Sequence, residues 1–269
     1  MTGPATARRR EIGLLIQRKA RLFSPVLNAR RMTKGPPGMI NAKFHIDTDL
    51  SRAELLPQLR KFEPWRIGIT FSNGLDTAEL ETIQPFSDIP VNKLRMIAEH
   101  CGEETLHNLR VLDVGANIGY NTITLARDFG CTVTGIDFNP SNVAKARWLA
   151  GVCGVETEFE VADANTYCKP GEFDLILHLG TLYHLADPVG GLKSAARSLK
   201  PGGRIYIETT TYRGGDEYAC RYMHGFGKDY TNLWALSETV VIEILEQYGA
   251  PAVKMMREFQ MKHFDGTGM

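Results

Sequence analysis

Val111-Leu112-Asp113-Val114-Gly115-Ala116-Asn117-Ile118-Gly119-Tyr120 reads as a short apolar strand, a glycine turn and the opening of a helix. Gly115 lets the backbone turn sharply and approach a ligand where a Cβ would collide. Gly119 permits close packing at the helix start, where the first backbone N–H groups have no partner inside the helix. A nicotinamide-binding fingerprint needs G-x-G-x-x-G, so that a pyrophosphate can sit on the helix N-terminus. Here Asn117 fills the second glycine position and Tyr120 the third. That disfavours a nicotinamide oxidoreductase.

Working outward, apolar strand-like runs lie at Val111–Val114, Val133–Ile136, Glu158–Val161, Leu175–Leu179 and Arg204–Ile207. Helical stretches separate them at Tyr120–Phe129, Ser141–Ala150 and Val189–Leu199, the last ending in the turn Lys200-Pro201-Gly202-Gly203. Short buried strands alternating with helices imply an α/β fold with a Rossmann-like, doubly wound, mostly parallel sheet, because parallel neighbours need crossovers. This domain is expected over residues 109–269. Residues 1–108 form a basic arm and a mainly helical extension. In it, Glu11–Leu27 has helical apolar spacing, and a break follows at Gly35-Pro36-Pro37-Gly38. Ser51 with Glu54 reads as a capping box, Trp65–Gly74 as an ordered loop, and Pro90–His100 as a helix.

Zero net charge over 269 residues hides an asymmetry. Residues 1–43 hold ten Lys/Arg against Glu11 alone, a net +9, leaving −9 for the rest. Such an arm could touch RNA or an anionic surface, be a solvated terminus, or be a transit peptide. No apolar run reaches eighteen residues, so no membrane span is expected. Five cysteines without a C-x-x-C pair point to reduced thiols of a cytoplasmic protein, and the histidines show no metal-ligand spacing.

Three acids follow strand ends. Asp113 stands just ahead of Gly115, where a cationic amino-acid group would lie. Asp137 ends the second strand, placed to accept both ribose hydroxyls, with Phe138 beside it to cover an adenine face. Asp163, followed by Ala164, closes the third strand and could accept from an adenine amino group. Leu179 ends the fourth. The form D-x-G-x-x-x-G resembles the first motif of class I methyltransferases, which implies S-adenosylmethionine, a cofactor needing no phosphate cradle.

The fourth strand leads through Gly180-Thr181-Leu182 to Tyr183 and His184, expected beside the transferred methyl group. Methyl transfer demands positioning and removal of a proton from the acceptor. His184 either serves as the base or caps the helix that follows at Asp187-Pro188; Tyr183 could hydrogen-bond the acceptor. His178, within the strand, reads as structural.

Gly180, Leu182-Tyr183-His184 and Pro188 together resemble the G-x-L-Y-H-x-x-x-P signature of the tRNA wobble-uridine 5-oxyacetic acid synthases, which carry a carboxymethyl group from carboxy-S-adenosylmethionine to 5-hydroxyuridine. Pro64-Trp65-Arg66-Ile67-Gly68, Leu75-Asp76-Thr77 and Asn232–Ser237 extend the likeness over roughly residues 60–250. The family's lysine, the natural partner of a ligand carboxylate, is Ile67 here, so ordinary S-adenosylmethionine is favoured. The glycine loop also resembles those of sugar- and macrolide-type O-methyltransferases. Trp65 and Arg66 either contact substrate or form an anchor and a surface charge. The class usually ends in an antiparallel hairpin. Pro251–Phe259 can supply its sixth strand, but Met261–Met269 is too short and polar for the seventh, so the edge is completed another way, for instance in a homo-oligomer.

The first reading is methyl transfer to an oxygen or nitrogen of a small-molecule or nucleoside acceptor. Its rivals are transfer to a tRNA wobble uridine, served by the basic arm, and a non-catalytic cofactor-binding scaffold.

Overall fold

The computed structural model describes residues 11–18, 44–80, 89–212, 217–225, 229–248 and 252–260, with the backbone alone for 11–18, 89–92 and 252–260. In chain order the elements are β1 (Glu11–Arg18), β2 (Phe44–Ile46), α1 (Arg52–Arg60), β3 (Ile69–Phe71), α2 (Ile89–Cys101), β4 (Arg110–Val114), α3 (Tyr120–Phe129) and β5 (Thr132–Asp137). They continue as α4 (Pro140–Val152), β6 (Glu158–Val161), β7 (Phe173–Leu179), α5 (Pro188–Ser198), β8 (Leu199–Thr211), β9 (Cys220–Tyr222), β10 (Trp234–Leu236), α6 (Glu238–Gln247) and β11 (Ala252–Gln260). Two compact units divide the chain: residues 1–28, 110–115 and 162–269 form the first, and residues 29–109 and 116–161 the second.

In the first unit the strands run in the order β11-β1-β8-β7-β4, all parallel. β10 extends the end of β8 at Leu236 and pairs antiparallel with β9. β7 lies between β8 and β4. Its Phe173, Leu175, Ile176 and Leu177 are all buried, as an apolar run covered on both faces should be. α5 starts where Pro188 occupies the first turn and the Asp187 carboxylate accepts from the Gly190 N–H at 2.9 Å.

In the second unit β5 and β6 pair in parallel, with α3 and α4 packed on β5 and α4 also on β6. Asn139 caps α4 through the Ser141 N–H, ahead of Pro140. The capping box of Ser51 and Glu54 opens α1 as the sequence predicts, the Glu54 carboxylate accepting from the Ser51 N–H at 2.9 Å; a cap of this kind is worth about 1 kcal/mol. β2 and β3 form a separate parallel pair, whose Phe44 meets Tyr120 edge-on at 4.9 Å.

The structure differs from the sequence reading in three places. Glu11–Arg18 is a strand, not the start of a helix over Glu11–Leu27; residues 19–27 lie outside the described residues. A short apolar run such as Ile12-Gly13-Leu14-Leu15-Ile16 has no decisive period, and bonding to a strand on each side settles it. Trp65–Gly74 holds a regular element, β3, because β2 offers it a partner. Lys200–Gly203 does not separate helix from strand but bulges inside β8, which advances five residues while β7 advances two. Gly202 takes φ +81 there. β11 covers the expected sixth strand, and β1 lies between it and β8. Residues 261–269 lie outside the described residues. No helix among those described is long and apolar enough to cross a membrane.

His178 is the polar exception in β7. It is fully buried between Val114 of β4 and Ile207 of β8, and neither ring nitrogen has a hydrogen-bond partner. Burial pushes its pKa down to about 4. The unfolded chain therefore binds this proton below about pH 6.5 while the folded chain still refuses it. Folding stability should fall as pH drops from about 6.5 towards 4, by up to about 3 kcal/mol. Denaturant titrations between pH 4.5 and 7.5 check this: His178→Leu should flatten the slope, and an unchanged slope would refute the assignment.

Candidate active site

In the first unit, β4 leaves the sheet through Gly115 at φ +74. A Cβ on Gly115 would lie 2.1 Å from the Thr181 hydroxyl oxygen, so only glycine fits. The same hydroxyl donates to the Val114 carbonyl at 3.0 Å, and the Gly180 N–H donates to the Glu208 carbonyl at 3.0 Å. The turn after β7 is thus held against the ends of both neighbouring strands. Asp113 is buried, and its register opposite Leu177 puts it on the same sheet face as Leu179 and Glu208. Asp163 is exposed and its carboxylate caps a turn by accepting from the Asn165 N–H at 2.9 Å; Ala164 is half-buried.

Leu182–His184 forms a single 3₁₀ turn. The Tyr183 and His184 rings lie 4.4 Å apart. Burial raises the Tyr183 pKa far above that of a free phenol, and the charges of Glu208 and Asp229 raise it further, so this side chain remains a protonated donor. His184 Nδ1 lies 3.0 Å from the Thr231 carbonyl and 3.0 Å from its hydroxyl. A carbonyl can only accept, which assigns the proton to Nδ1 and leaves Nε2 with its lone pair. The Thr231 hydroxyl donates onward to Asp229 at 2.6 Å. A carboxylate-backed threonine thereby fixes the orientation and tautomer of the histidine.

In the second unit, Asn117 at φ +53 directs its N–H to an Asp137 carboxylate oxygen at 2.8 Å. The other oxygen accepts from the Asn139 N–H at 2.8 Å and the Asn142 amide at 3.2 Å. A carboxylate has about four lone-pair sites, so Asp137 keeps acceptor capacity. Gly119, at φ +86, lies against the Phe159 ring, which a Cβ would meet at 2.7 Å. Phe138 is 80% exposed beside Asp137, a face open to a planar ligand. Asp113–Tyr120 contains no lysine or arginine, so this stretch offers no cation to a phosphate.

The sequence-predicted residues thus gather in two sets: Asn117, Gly119, Asp137 and Phe138 in the second unit, and Asp113, Gly115, Leu179, Tyr183 and His184 in the first. Trp65 joins neither. It is fully buried, donates its indole N–H to the Leu59 carbonyl at 3.1 Å, and packs 6.3 Å from the Trp148 ring, which leaves it no face for an acceptor. Arg66 is exposed. Ile67, where the wobble-uridine family has lysine, is buried. Sequence reasoning missed Thr181, Glu208, Asp229 and Thr231. An acid ending the apolar run Ile205-Tyr206-Ile207 was a signal for Glu208; the threonines carry none until the loops are closed.

Residues 80–254, well over half of the chain, match the family model described as a methyltransferase domain. The ubiquinone biosynthesis O-methyltransferase of Escherichia coli O7:K1 is 34% identical over 128 residues, 46% of this chain and 52% of that protein. The corresponding protein of Shigella boydii serotype 18 matches to the same extent. The chain therefore spans about half the length of the curated relatives it matches. Among solved structures, the N-terminal domain of EvdMO1 in the presence of SAH and D-fucose superposes with a TM-score of 0.58 at 24% identity, covering 74% of this chain and 87% of that one. This likeness carries the Rossmann-like fold. The chain belongs to the methyltransferase-domain family, and its domain is of the class I, S-adenosylmethionine-dependent type.

Proposed function

We propose that this protein transfers a methyl group from S-adenosylmethionine to an oxygen of a small hydroxylated acceptor. The observation that carries the reading is His184, whose Nδ1 is committed to Thr231 so that Nε2 can take the proton of an acceptor hydroxyl. When bound, the cofactor supplies an electrophilic methyl group on a sulfonium. Asp137 accepts from the ribose hydroxyls, Phe138 covers the adenine, and Asp163 with Ala164 borders its amino edge. Asp113 and the turn at Gly115 meet the amino-acid end, with Leu179 beside it. Tyr183, held protonated, donates a hydrogen bond to the acceptor oxygen and orients it for in-line attack. Ordinary S-adenosylmethionine is assigned over its carboxylated form because Ile67 offers no cation to a carboxylate. The ubiquinone biosynthesis relatives, O-methyltransferases by name, favour oxygen over nitrogen as the acceptor atom.

Two substitutions separate binding from turnover. Asp137→Ala removes a charged acceptor for the ribose hydroxyls, worth about 1.5–3 kcal/mol for the remaining hydrogen bond, so calorimetry should show S-adenosylmethionine binding weakened at least about tenfold. Unchanged affinity would refute the ribose placement. His184→Ala should leave that affinity within about twofold yet slow transfer of a tritiated methyl group to catechol or D-fucose by about 10²–10⁴. Undiminished transfer would remove His184 as the base.

A further inference from the structure

The stretch around β9 and β10 carries aromatic side chains that neither the cofactor set nor the reacting pair uses. Of six large apolar side chains exposed among the described residues, three lie here: Tyr218, Tyr222 at 61% and Tyr230 at 78%. They are not scattered. The antiparallel register sets Tyr222 opposite Trp234, their rings 5.3 Å apart and edge to face. His224 lies in the turn two residues past the end of β9, 6.4 Å from Tyr222 and within 9° of parallel; Tyr230 follows, 6.0 Å from His224. Trp234, Tyr222, His224 and Tyr230 form a continuous ribbon of rings in which Trp234 is half-buried and the other three face solvent.

This ribbon is bonded to the reacting segment. The Leu233 N–H donates to the Tyr183 carbonyl at 2.8 Å, and Thr231 holds His184. A ligand lying on the rings would therefore lie alongside the proposed base. The charge here is as informative as the shape. Among the described residues from 217 to 236 the charged groups are Glu217, Arg221 and Asp229. Arg221 points away from Tyr222 by strand alternation and sits over Tyr212, 4.2 Å from its ring centre. Among the described residues, therefore, no lysine or arginine faces the rings in the way that holds a phosphodiester chain. Exposed tyrosines present an apolar ring with a polar tip, which suits a flat, uncharged partner carrying hydroxyls.

We propose that this ribbon is the acceptor platform, and that the acceptor is an uncharged ring compound bearing hydroxyl groups, docked on Tyr222 and Tyr230. The inference rests on the methyltransferase reading and specifies its substrate class. A phenolic ring and a hexose ring share this chemistry, and the test distinguishes them.

Full-length protein is first titrated calorimetrically with S-adenosylhomocysteine, then, once saturated, with catechol, with D-fucose and with hexauridylate. Catechol or D-fucose should bind, whichever does identifying the ring as phenolic or sugar-like. Its Kd should rise at least about tenfold in the Tyr222→Ala, Tyr230→Ala double variant, with S-adenosylhomocysteine affinity unchanged within about twofold. Should the double variant lose that control, Tyr230→Ala alone, at a largely exposed side chain, must still weaken ring binding. The platform is overturned if a protein that takes up S-adenosylhomocysteine binds neither ring, if ring affinity survives the substitutions, or if hexauridylate is preferred. A wild-type protein that takes up no S-adenosylhomocysteine overturns the methyltransferase reading itself, and with it the acceptor role.

Discussion

The Thr181 hydroxyl, donating to the Val114 carbonyl across 3.0 Å, latches the turn after β7 onto the end of β4, and the chemistry of the first unit depends on that latch. It demands a neighbour without a side chain, which is why Gly115 follows Val114 at a positive φ. It also fixes where the next residues start. Leu182, Tyr183 and His184 follow within one turn, so a displacement of Thr181 would be passed to both rings together. Placement of reacting groups to within about an ångström is what methyl transfer asks of a protein. Here that tolerance is set by one side chain against one carbonyl.

Much of the fold was legible because its signals are local. Tyr120–Phe129 is bounded by Gly119 and Gly130, both in the left-handed region, and the sequence marks both ends. The strands β4, β5 and β7 each carry a buried run between helices. What escaped reading depends on partners distant in the chain. β1 is a strand because β8 and β11 flank it, and β3 because β2 lies alongside. The bulge at Lys200–Gly203 was visible as turn chemistry, but whether a glycine turn ends a strand or interrupts it is decided by the neighbouring strand, here β7.

The site divides in the same way. Asp113, Gly115, Gly119 and Asp137 stand at spacings set by strand and helix lengths, so the sequence alone marks them as candidates. Trp65 shows the limit of motif reading: a tryptophan beside an arginine looks like a substrate contact until its indole N–H is found donating to Leu59 inside the core. The support for His184 was invisible for the opposite reason. Thr231 and Asp229 lie some 47 residues further along the chain, and their role appears only when the β9–β10 hairpin folds back on the turn after β7.

The placement of β1 bears on how the molecule is made. A ribosome releases Glu11–Arg18 early, yet the two strands that flank it in the sheet begin at Leu199 and Ala252. Glu11 pairs with Arg204, 193 positions away. Until synthesis has passed β8, this apolar stretch has neither of its hydrogen-bonding neighbours, and β11, whose pairing is with β1, cannot dock before it. Closing so long a loop is entropically costly and slow. The nascent chain therefore carries an unpaired, aggregation-prone strand until β8 has been made, and a segment synthesised ahead of both its partners must wait for them.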